Sequence, residues 1–447
     1  MQLLEETKSL CPTCMQIIPA EIYADGVRVF MQKKCPKHGS FRGLIWSDYQ
    51  IYQRSFRFNR KITEPAQRAT SVNEGCPYDC GLCPEHKQHT CLAILEVTDK
   101  CNLECLVCLA SSPKTSEDPK IEQIEDALKK LLRYEGRPTS IQLSGGEPTV
   151  RKDLGDIVNT ARSLGFESIE IDTNGIEFGK RPELAKELAD AGLTGIYLQF
   201  DSVTTDTQMR LRGLQTDVLS TKEKAIEKAK KAGLEVALAA TIVKGVNDNQ
   251  LWEIIRYGIK KDVKGVNFQP FAALGRYPRD LSNPLDKATI PDVVKGIETQ
   301  SRGQLKIEDF IPVPCPDNRC AVLTYTIIKK EEITPINRLV DIEKIVDYYA
   351  EPADFDKVLE ETGKILCGSG IDNVTCCPAS IPSLKGQYFS IGCHGLQDIW
   401  NIDLNRLEKC CVHELTIEGK LVPFCLFNVT NQKGETLYRE KKSKRLK

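Results

Sequence analysis

The chain has 447 residues, and its 61 basic residues balance 62 acidic ones to a net charge of −1. This balance gives no bulk attraction to nucleic acid, so we expect no nucleic-acid partner. No apolar run reaches the roughly 18 residues that span a bilayer, and the first residues, MQLLEETKSLC, lack the basic and apolar regions of a signal peptide. The sequence therefore predicts a soluble, cytoplasmic protein without a transmembrane segment.

Cysteine is the residue type that indicates the class of protein. An odd number of cysteines, 19, in a chain with no export signal indicates metal ligation rather than a disulfide framework. With only five histidines, the candidate ligands are mostly soft thiolates, which favour iron–sulfur clusters, iron or zinc. The cysteines lie in groups at 11–35, 76–91, 101–108 and 315–425, and residues 109–314 contain none.

The cysteine-free middle of the chain alternates between two kinds of pattern. Apolar, β-branched runs occur at 93–98, 140–145, 168–174, 196–201, 235–243 and 265–270, and helical patterns lie between them at 121–134, 153–164, 183–192, 221–233 and 251–260. This alternation predicts βαβ units and an α/β fold with a parallel sheet. Six such strands predict a partial (β/α)6 barrel over residues 93–275, with a doubly wound sheet as the alternative. In either fold, the chemistry lies at the carboxyl ends of the strands.

A cysteine triad follows the first predicted strand. Cys101, Cys105 and Cys108 have the spacing Cys-x3-Cys-x2-Cys, and three thiolates so spaced can bind three corners of a [4Fe–4S] cube and leave the fourth iron open. The alternative is a zinc site with Cys91 or a distant residue as its fourth ligand.

The next two strands also end in polar motifs. Ser144–Pro148 reads SGGEP, in which Gly145 and Gly146 allow close backbone approach and Glu147 can accept a hydrogen bond from an ammonium group. Residues 172–175 read DTNG, a polar strand end with a turn glycine. Either motif alone fits an ordinary turn. At successive strand ends beside the triad, they predict one site.

With CNLECLVC, SGGEP, DTNG and the six-strand rhythm, residues 93–275 resemble the radical S-adenosylmethionine (SAM) superfamily. In that superfamily the open iron is chelated by the amino and carboxylate groups of SAM. An electron from the cluster then cleaves SAM, and the resulting 5′-deoxyadenosyl radical abstracts a substrate hydrogen. The resemblance implies an electron donor of the ferredoxin or flavodoxin type. It also implies catalytic cluster ligands at Cys101, Cys105 and Cys108, and SAM contacts at Gly145, Gly146, Glu147, Asn174, Gln199 and Asp201.

Residues 71–92 repeat the spacing of the triad. Cys76, Cys80 and Cys83 lie 25 residues before their counterparts, but they follow a polar loop rather than a strand. We interpret this segment as the site of an auxiliary [4Fe–4S] cluster, with Cys91 as a candidate fourth ligand. Zinc is the alternative metal.

Residues 1–70 contain two further metal knuckles, CPTC at 11–14 and KCPKHG at 34–39. The spacing predicts a small metal-binding ribbon. Its ligands are Cys11, Cys14 and Cys35, with either His38 or a borrowed Cys91 as the fourth. Zinc and a rubredoxin-like mononuclear iron fit equally well.

Residues 276–447 form a predicted C-terminal extension that is rich in cysteine. Its candidate ligands for an auxiliary [4Fe–4S] cluster are Cys315, Cys320, Cys410, Cys411 and Cys425. The remaining cysteines of the extension also fit the role of small buried hydrophobic residues. They are Cys367, Cys376, Cys377 and Cys393.

Across nearly its full length, the pattern CxxC…CPKHG, GCPYDCGLCPEH, CNLECLVC, GVNFQPF and CCVHE…VPFC resembles the tetraether lipid synthase group, whose members were once read as pterin methylases. The resemblance implies about three [4Fe–4S] clusters, one mononuclear iron or zinc, and carbon–carbon bond formation between unactivated carbons of archaeal isoprenoid ether lipids. The implied partner is a lipid at the membrane surface, so the resemblance adds peripheral membrane contact to a cytoplasmic location.

Two segments fit a membrane surface but do not require one. The aromatic and basic stripe at 44–61 also fits an amphipathic helix docked on the barrel, and the basic tail at 439–447 also fits a solvated tail. The alternative function is radical SAM methylation of a pterin or another small molecule. A non-catalytic metal scaffold is disfavoured, because a scaffold needs neither SGGEP nor DTNG.

Overall fold

The structure is a computed structural model that describes residues 1–58, 62–112, 117–214, 217–329, 332–339, 341 and 388–439. Within these ranges, the chain forms a small antiparallel sheet near the N-terminus and a large mixed sheet that is flanked by helices. No helix in the described ranges has the length and apolar character needed to cross a membrane.

The small sheet is an antiparallel meander in which each strand pairs with its neighbour in sequence. Its strands are β1 (Gln2–Leu10), β2 (Ile17–Asp25), β3 (Arg28–Cys35) and β4 (Gly39–Trp46). Ile22, Val29 and Met31 join the main hydrophobic core, so one face of this sheet packs on the rest of the molecule. Cys11 follows β1 and Cys35 ends β3, so the meander brings the two predicted knuckles to the same end of the sheet.

The centre of the large sheet consists of six parallel strands. They are β5 (Leu92–Thr98), β6 (Ser140–Gly145), β7 (Ile169–Thr173), β8 (Gly195–Gln199), β9 (Glu235–Ile242) and β10 (Gly265–Pro270). They lie side by side in sequence order. A doubly wound sheet reverses its strand order at a switch point, so this order excludes the alternative fold. The α/β fold is confirmed, and its sheet is partly barrel-like and not closed.

Helices cover the outer face of the sheet. The described helices are α1 (Tyr49–Ser55), α2 (Ile121–Glu135), α3 (Leu154–Ser163), α4 (Ile176–Lys180), α5 (Leu184–Asp190), α6 (Thr205–Arg212), α7 (Leu219–Lys231), α8 (Leu251–Lys260), α9 (Ile290–Gln300), α10 (Leu404–Leu407) and α11 (Phe424–Asn428). In α2, Ile124, Leu128 and Leu131 recur at helical spacing and are fully buried. They share a core with Ile141 and Leu143 of β6, so each βαβ unit buries one stripe of helix on one face of a strand.

The predicted strands and helices of the barrel agree with the observed bounds to within about two residues. Two short helices, α4 and α6, have no counterpart in the predicted pattern. Both begin within six residues of a strand's carboxyl end. They are too short to show a clear 3.6-residue period, which is the signal that a helix prediction depends on.

The C-terminal extension contributes strands to both edges of the barrel sheet. These strands are β11 (Ile311–Pro312), β12 (Ala321–Lys329), β13 (Glu332–Pro335), β14 (Tyr388–His394), β15 (Val412–Leu415) and β16 (Leu421–Pro423). Strand β14 pairs with β10 in parallel, and β15 pairs with β5 in parallel. The extension therefore continues the sheet of the barrel at both ends.

The two segments considered as membrane contacts pack against protein where they are described. Tyr52 of α1 is buried, with its ring 5.8 Å from that of Trp46 and 5.2 Å from that of Phe56. Arg439, the first residue of the basic tail, has a side chain only 9% exposed and pairs with Glu96 of β5. Residues 440–447 lie outside the described residues.

Candidate functional site

The cysteine triad lies on the loop that leaves β5. The thiols of Cys101, Cys105 and Cys108 are partly exposed and close enough to affect one another's pKa. Burial raises the pKa of Cys101 to about 12, and burial likewise raises that of Cys105. A raised pKa means that the buried thiols favour the protonated form. A metal cluster would favour the deprotonated form instead, since metals bind thiolates. Three thiols on one partly open loop are a donor set that fits a [4Fe–4S] cluster with one free iron.

Two arginines hold this loop through its backbone. Arg276 donates through Nε to the carbonyl of Cys105 at 2.9 Å, and its backbone bridges to that of Cys108 in both directions. Arg212 donates through Nη1 to the carbonyl of Val107 at 2.9 Å. These contacts fix the shape of the loop, as preorganised ligand sites require.

The glycines of SGGEP pack against the backbone that leads into the triad. An added Cβ would lie 2.2 Å from the Thr98 carbonyl oxygen at Gly145 and 2.0 Å from the Lys100 carbonyl oxygen at Gly146. Gly145 also has a positive φ of 125°. The sequence predicts that Gly145 and Gly146 allow a ligand to approach the backbone closely. In the structure, the close approach is to residues 98–100, directly before Cys101.

Glu147 is 1% exposed and ties SGGEP to DTNG. Its Oε1 accepts hydrogen bonds from the hydroxyls of Thr149 and Thr173, and its Oε2 accepts from the backbone N–H of Asn174 at 2.7 Å. Burial raises the pKa of this carboxyl. The predicted contact with the SAM amino group thus competes with an internal set of donors, and Glu147 orders both strand ends.

Asn174 reaches the triad loop. Its Nδ2 donates to Asn102 Oδ1 at 2.8 Å, and its Oδ1 accepts from the N–H of Ile176 at 2.9 Å. Asn102 directly follows Cys101, so Asn174 lies at the rim of the predicted cluster site. The structure therefore brings the triad, SGGEP and DTNG together.

Gln199 and Asp201 belong to a buried polar network at the end of β8. Asp201 is fully buried and accepts two hydrogen bonds from Arg212, at 2.6 and 2.8 Å. Lys222 donates to the carbonyl of Gln199 at 2.5 Å and to its side-chain oxygen. Burial lowers the pKa of Lys222 to about 7.

Arg212 and Lys222 could not be identified as site residues from the sequence. Arg212 interacts electrostatically with Cys105 and Cys108, and Lys222 with Cys105. Lys222 is one of several lysines in KEKAIEKAKK, a pattern typical of a solvated helix. Its complete burial is visible only in the folded chain.

The inner face of the barrel is polar. Gln142 donates to Glu170 Oε2 at 3.3 Å, and Ser144 donates to Asp172 Oδ2 at 3.2 Å on the neighbouring strand. The same face of the sheet also carries Tyr197, Asn267, Gln269 and His394, which are joined by hydrogen bonds between their side chains. Burial raises the pKa of Asp172 to about 6 and also raises that of Glu170.

The N-terminal ribbon brings together four candidate metal ligands, Cys11, Cys14, Cys35 and His38, whose ligand atoms all lie within 4.8 Å of one another. His38 Nδ1 is 3.6 Å from Cys11 Sγ and 3.4 Å from Cys35 Sγ. Three thiols and one imidazole at these distances suit a tetrahedral ion. Of the two candidate fourth ligands, the structure brings His38 to this site.

Cys91 lies elsewhere, next to Cys315 and Cys411. Its backbone N–H donates to the carbonyl of Cys411 at 2.9 Å, because β5 and β15 begin side by side. This position supports none of the three roles considered for Cys91: as a zinc ligand beside the triad, as a ligand of the ribbon, and as the fourth ligand of the segment at 71–92.

The other candidate auxiliary thiols form two neighbourhoods. Cys76, Cys80 and Cys83 interact with one another, and the Cys76 thiol together with burial raises the pKa of Cys80. Cys320, Cys410 and Cys425 form the second neighbourhood and are also mutually close. Cys393 is buried in the main core. Three cysteines lie outside the described residues: Cys367, Cys376 and Cys377.

The sequence matches the family model of the radical SAM superfamily over residues 95–258 and that of the HMPTM N-terminal zinc ribbon domain over residues 3–47. It is similar to 7,8-dihydro-6-hydroxymethylpterin dimethyltransferase from Methanocaldococcus jannaschii, with 34% identity over 96% of this chain and 94% of that protein. It is 27% identical to GTP 3′,8-cyclase from Helicobacter pylori over 48% of this chain and 67% of that protein. Among solved structures, Streptococcus suis SuiB bound to S-adenosylmethionine gives a TM-score of 0.39 at 15% identity, over 49% of this chain and 50% of that one.

Proposed function

Because this chain belongs to the radical SAM superfamily, and within it to the family of the Methanocaldococcus jannaschii pterin dimethyltransferase, we propose that it is a radical SAM methyltransferase that acts on a reduced pterin or a closely related heterocycle. The near full-length similarity to that relative supports the proposal, as does the zinc ribbon that matches over residues 3–47.

The prediction that the chain joins carbons of isoprenoid lipids was wrong. The relative that matches over 96% of the chain is a pterin dimethyltransferase, not a tetraether lipid synthase. This finding favours the alternative that the sequence analysis kept open. The physical reason for the error is that the cysteine motifs report on clusters and SAM, which both reactions use, and not on the substrate.

The observation that carries the proposal is the polar inner face of the barrel. Gln142, Glu170, Asp172, Tyr197 and Asn267 project from neighbouring strands onto this face. These side chains already bond to one another, but carboxylates and amides have further donor and acceptor positions. A hydrocarbon chain bound against them would remove water from those positions without replacing its hydrogen bonds, at about 1–3 kcal/mol for each. A heterocycle with several donors and acceptors can replace the lost water with hydrogen bonds.

Glu170 and Asp172 suit one edge of a pterin in particular. The pyrimidine ring of a 2-amino-4-oxopteridine presents two adjacent N–H donors, and a carboxylate presents two acceptors at a matching separation. The two carboxyls lie two residues apart on β7, and so on the same face of that strand. Hydrogen bonds from such a donor edge would stabilise the ionised carboxylates and so offset the effect of burial, which raises the pKa of both groups.

Residues at the strand ends would hold the cofactors. We infer that Cys101, Cys105 and Cys108 bind the cluster. Asn174 and Arg212 contact the loop that carries this triad, where the polar groups of SAM would bind. When bound, the cluster and SAM supply radical hydrogen abstraction, with electrons from a ferredoxin- or flavodoxin-type donor. The chain itself fixes the loop and orients the substrate over it.

The test is an anaerobic reaction with reductant, methyl-labelled SAM and 7,8-dihydro-6-hydroxymethylpterin, followed by mass spectrometry. We expect pterin products that carry one or two added methyl groups. The presence or absence of the label in those groups shows whether SAM is the methyl source. Glu170→Gln should lower the yield at least tenfold while 5′-deoxyadenosine still forms, because the change removes acceptor charge from the substrate face only. Glu253→Gln, on the exposed face of α8, is the matched control. Release of 5′-deoxyadenosine without any methylated pterin would overturn the proposed substrate.

A further inference from the structure

A second convergence of metal-binding side chains lies far from the ribbon in sequence. The Sγ atoms of Cys91, Cys315 and Cys411 all lie within 4.8 Å of one another, the same limit that the ribbon ligands meet. Cys315 and Cys411 are 4% and 1% exposed. Among the described residues, the triad at 101–108 does not converge this closely. Ligands of one ion stand closer together than cysteines on separate corners of a cube, so the spacing favours a single ion.

A buried histidine lies beside this group of thiols and contacts Cys315. His89 is 5% exposed, its Nε2 lies 3.9 Å from Cys315 Sγ, and its Nδ1 is buried without a hydrogen-bond partner. A buried imidazole normally satisfies both nitrogens, since each unmet one costs about 1–3 kcal/mol. Rotation of the ring exchanges the two nitrogens, so either can bond to an ion among the thiols.

The distances approach those of a tetrahedral site. With bonds of about 2.0–2.3 Å to zinc, neighbouring ligand atoms stand about 3.6–3.8 Å apart. The contact between His89 and Cys315 at 3.9 Å is close to this value. The sulfurs of Cys91 and Cys411, now 2.8 Å apart, would open by about 1 Å.

Neighbouring residues hold the ligands in position. The Gln88 side chain donates to the carbonyl of Cys315 and accepts from the N–H of Thr63 at 3.0 Å. The N–H of His89 donates to the carbonyl of Thr63 at 2.7 Å. Outer contacts of this kind are typical of metal sites, where they fix the orientation of the ligands.

We propose that Cys91, Cys315, Cys411 and His89 bind a single Zn²⁺ ion, as a second structural zinc site. This proposal goes beyond the proposed methyl transfer and is independent of it. Four protein ligands leave no open position, as in structural rather than catalytic zinc sites. The ion would join the start of β5 to the start of β15 and to the segment after β11, and so fasten the C-terminal extension to the first barrel strand.

The test is the zinc, iron and acid-labile sulfide content of anaerobically purified protein. We expect two zinc ions per chain in the wild type and one in both Cys315→Ala and His89→Ala, with iron and sulfide unchanged. Cys14→Ala should also retain one zinc ion, and the double variant Cys14→Ala/Cys315→Ala none. Cys393→Ala, a buried cysteine outside these groups, should retain both.

The other outcomes overturn the proposal. Joint loss of iron and sulfide in Cys315→Ala would make these thiols cluster ligands, and loss of iron alone would exclude zinc. Retention of zinc in His89→Ala would exclude the histidine. If Cys315→Ala and His89→Ala fail to fold, X-ray absorption at the zinc edge of Cys14→Ala decides. A shell of three sulfurs and one nitrogen supports the site, and any other shell refutes it.

Discussion

At the scale of single residues, a substitution at Gly146 tests whether the close backbone contacts of SGGEP support stability and cluster binding. A Cβ at this position meets the Lys100 carbonyl oxygen at 2.0 Å, and neither backbone can move without shifting the triad. We expect Gly146→Ala to lower the free energy of unfolding by about 1–3 kcal/mol and to lower the iron content of the catalytic cluster. Urea denaturation and iron analysis measure the two effects.

Gly155→Ala is the matched control for this change. Gly155 lies in the first turn of α3 with nothing within 4 Å of its added Cβ. Alanine there should be neutral or stabilising by up to about 1 kcal/mol. If the two variants are equally stable, the close contact at Gly146 makes no contribution to the free energy of unfolding.

Asp172 predicts a pH dependence of stability. Burial raises its pKa to about 6, above the usual value near 4, so the folded state binds this proton more tightly than the unfolded state. The free energy of unfolding therefore falls as pH rises between these two values and stays lower at neutral pH. Asp172→Asn should be more stable than the wild type at pH 8, by about 1–3 kcal/mol, with the difference vanishing near pH 4.

Denaturant titrations at pH 4 and pH 8 test this expectation, and Asp190→Asn on the exposed end of α5 serves as the control. The same Asp172→Asn variant should lose pterin methylation, because stability and function oppose each other at a strained site. If Asp172→Asn is less stable than the wild type at pH 8, the ionised Asp172 carboxylate must be stabilised by interactions stronger than its hydrogen bond from Ser144.

At the scale of elements, the docking of the ribbon depends on one glycine of β4. An added Cβ at Gly43 would lie 2.4 Å from the Trp400 carbonyl oxygen in the C-terminal extension. Gly43→Ala should lower the thermal unfolding midpoint and make residues 1–47 more sensitive to protease, at a cost of about 1–3 kcal/mol. The zinc of the ribbon should remain, because strand β4 itself tolerates alanine. An unchanged midpoint would mean that the two backbones separate at no cost.

The elements themselves could largely be predicted from the sequence, because helices such as α2 and α8 and strands such as β6 carry strong periodicity. Their parallel order followed from the βαβ rhythm. The pairing of β14 and β15 with the two barrel edges could not be predicted, since no short-range signal records which edge a distant strand joins. For the same reason, the grouping of Cys91 with Cys315 and Cys411 could not be predicted.

The site was predictable to the extent that it consists of local motifs. The triad, SGGEP and DTNG could be recognised because each motif is contiguous, and the parallel strands bring them together. Arg212, Lys222 and His89 have no such motif. Lys222 and His89 are buried and Arg212 is nearly so, and only this distinguishes them from surface residues. The substrate was the part least accessible from sequence, because the alternation of apolar and polar residues in β6 and β7 equally fits a half-exposed strand.

At the scale of the whole molecule, the ion pair of Arg439 and Glu96 connects the C-terminal segment to the first barrel strand. Arg439 also bonds Asn428 Oδ1 at 2.8 and 3.0 Å and lies over the ring of Phe427. Arg439→Met leaves Glu96 uncompensated and should cost about 3–5 kcal/mol, the usual range for breaking a buried pair.

A double-mutant cycle with Glu96→Gln isolates the pair. The double variant should recover much of the stability that Arg439→Met loses, as read from denaturant midpoints. Additive losses in the two single variants would instead assign the effect of Arg439 to its contacts with Asn428 and Phe427.

The pairing of both barrel edges with late strands has a consequence for biosynthesis. Strand β10 has left the ribosome long before β14, and residues 271–387 must be translated in between. At roughly 5–20 residues per second, that edge waits on the order of ten seconds for its partner, and the β5 edge waits longer for β15. Unpaired strand edges invite intermolecular pairing. The nascent chain therefore passes through an interval in which chaperones must shield the half-built barrel, and in which cluster-assembly proteins have their widest access to the cysteine loop.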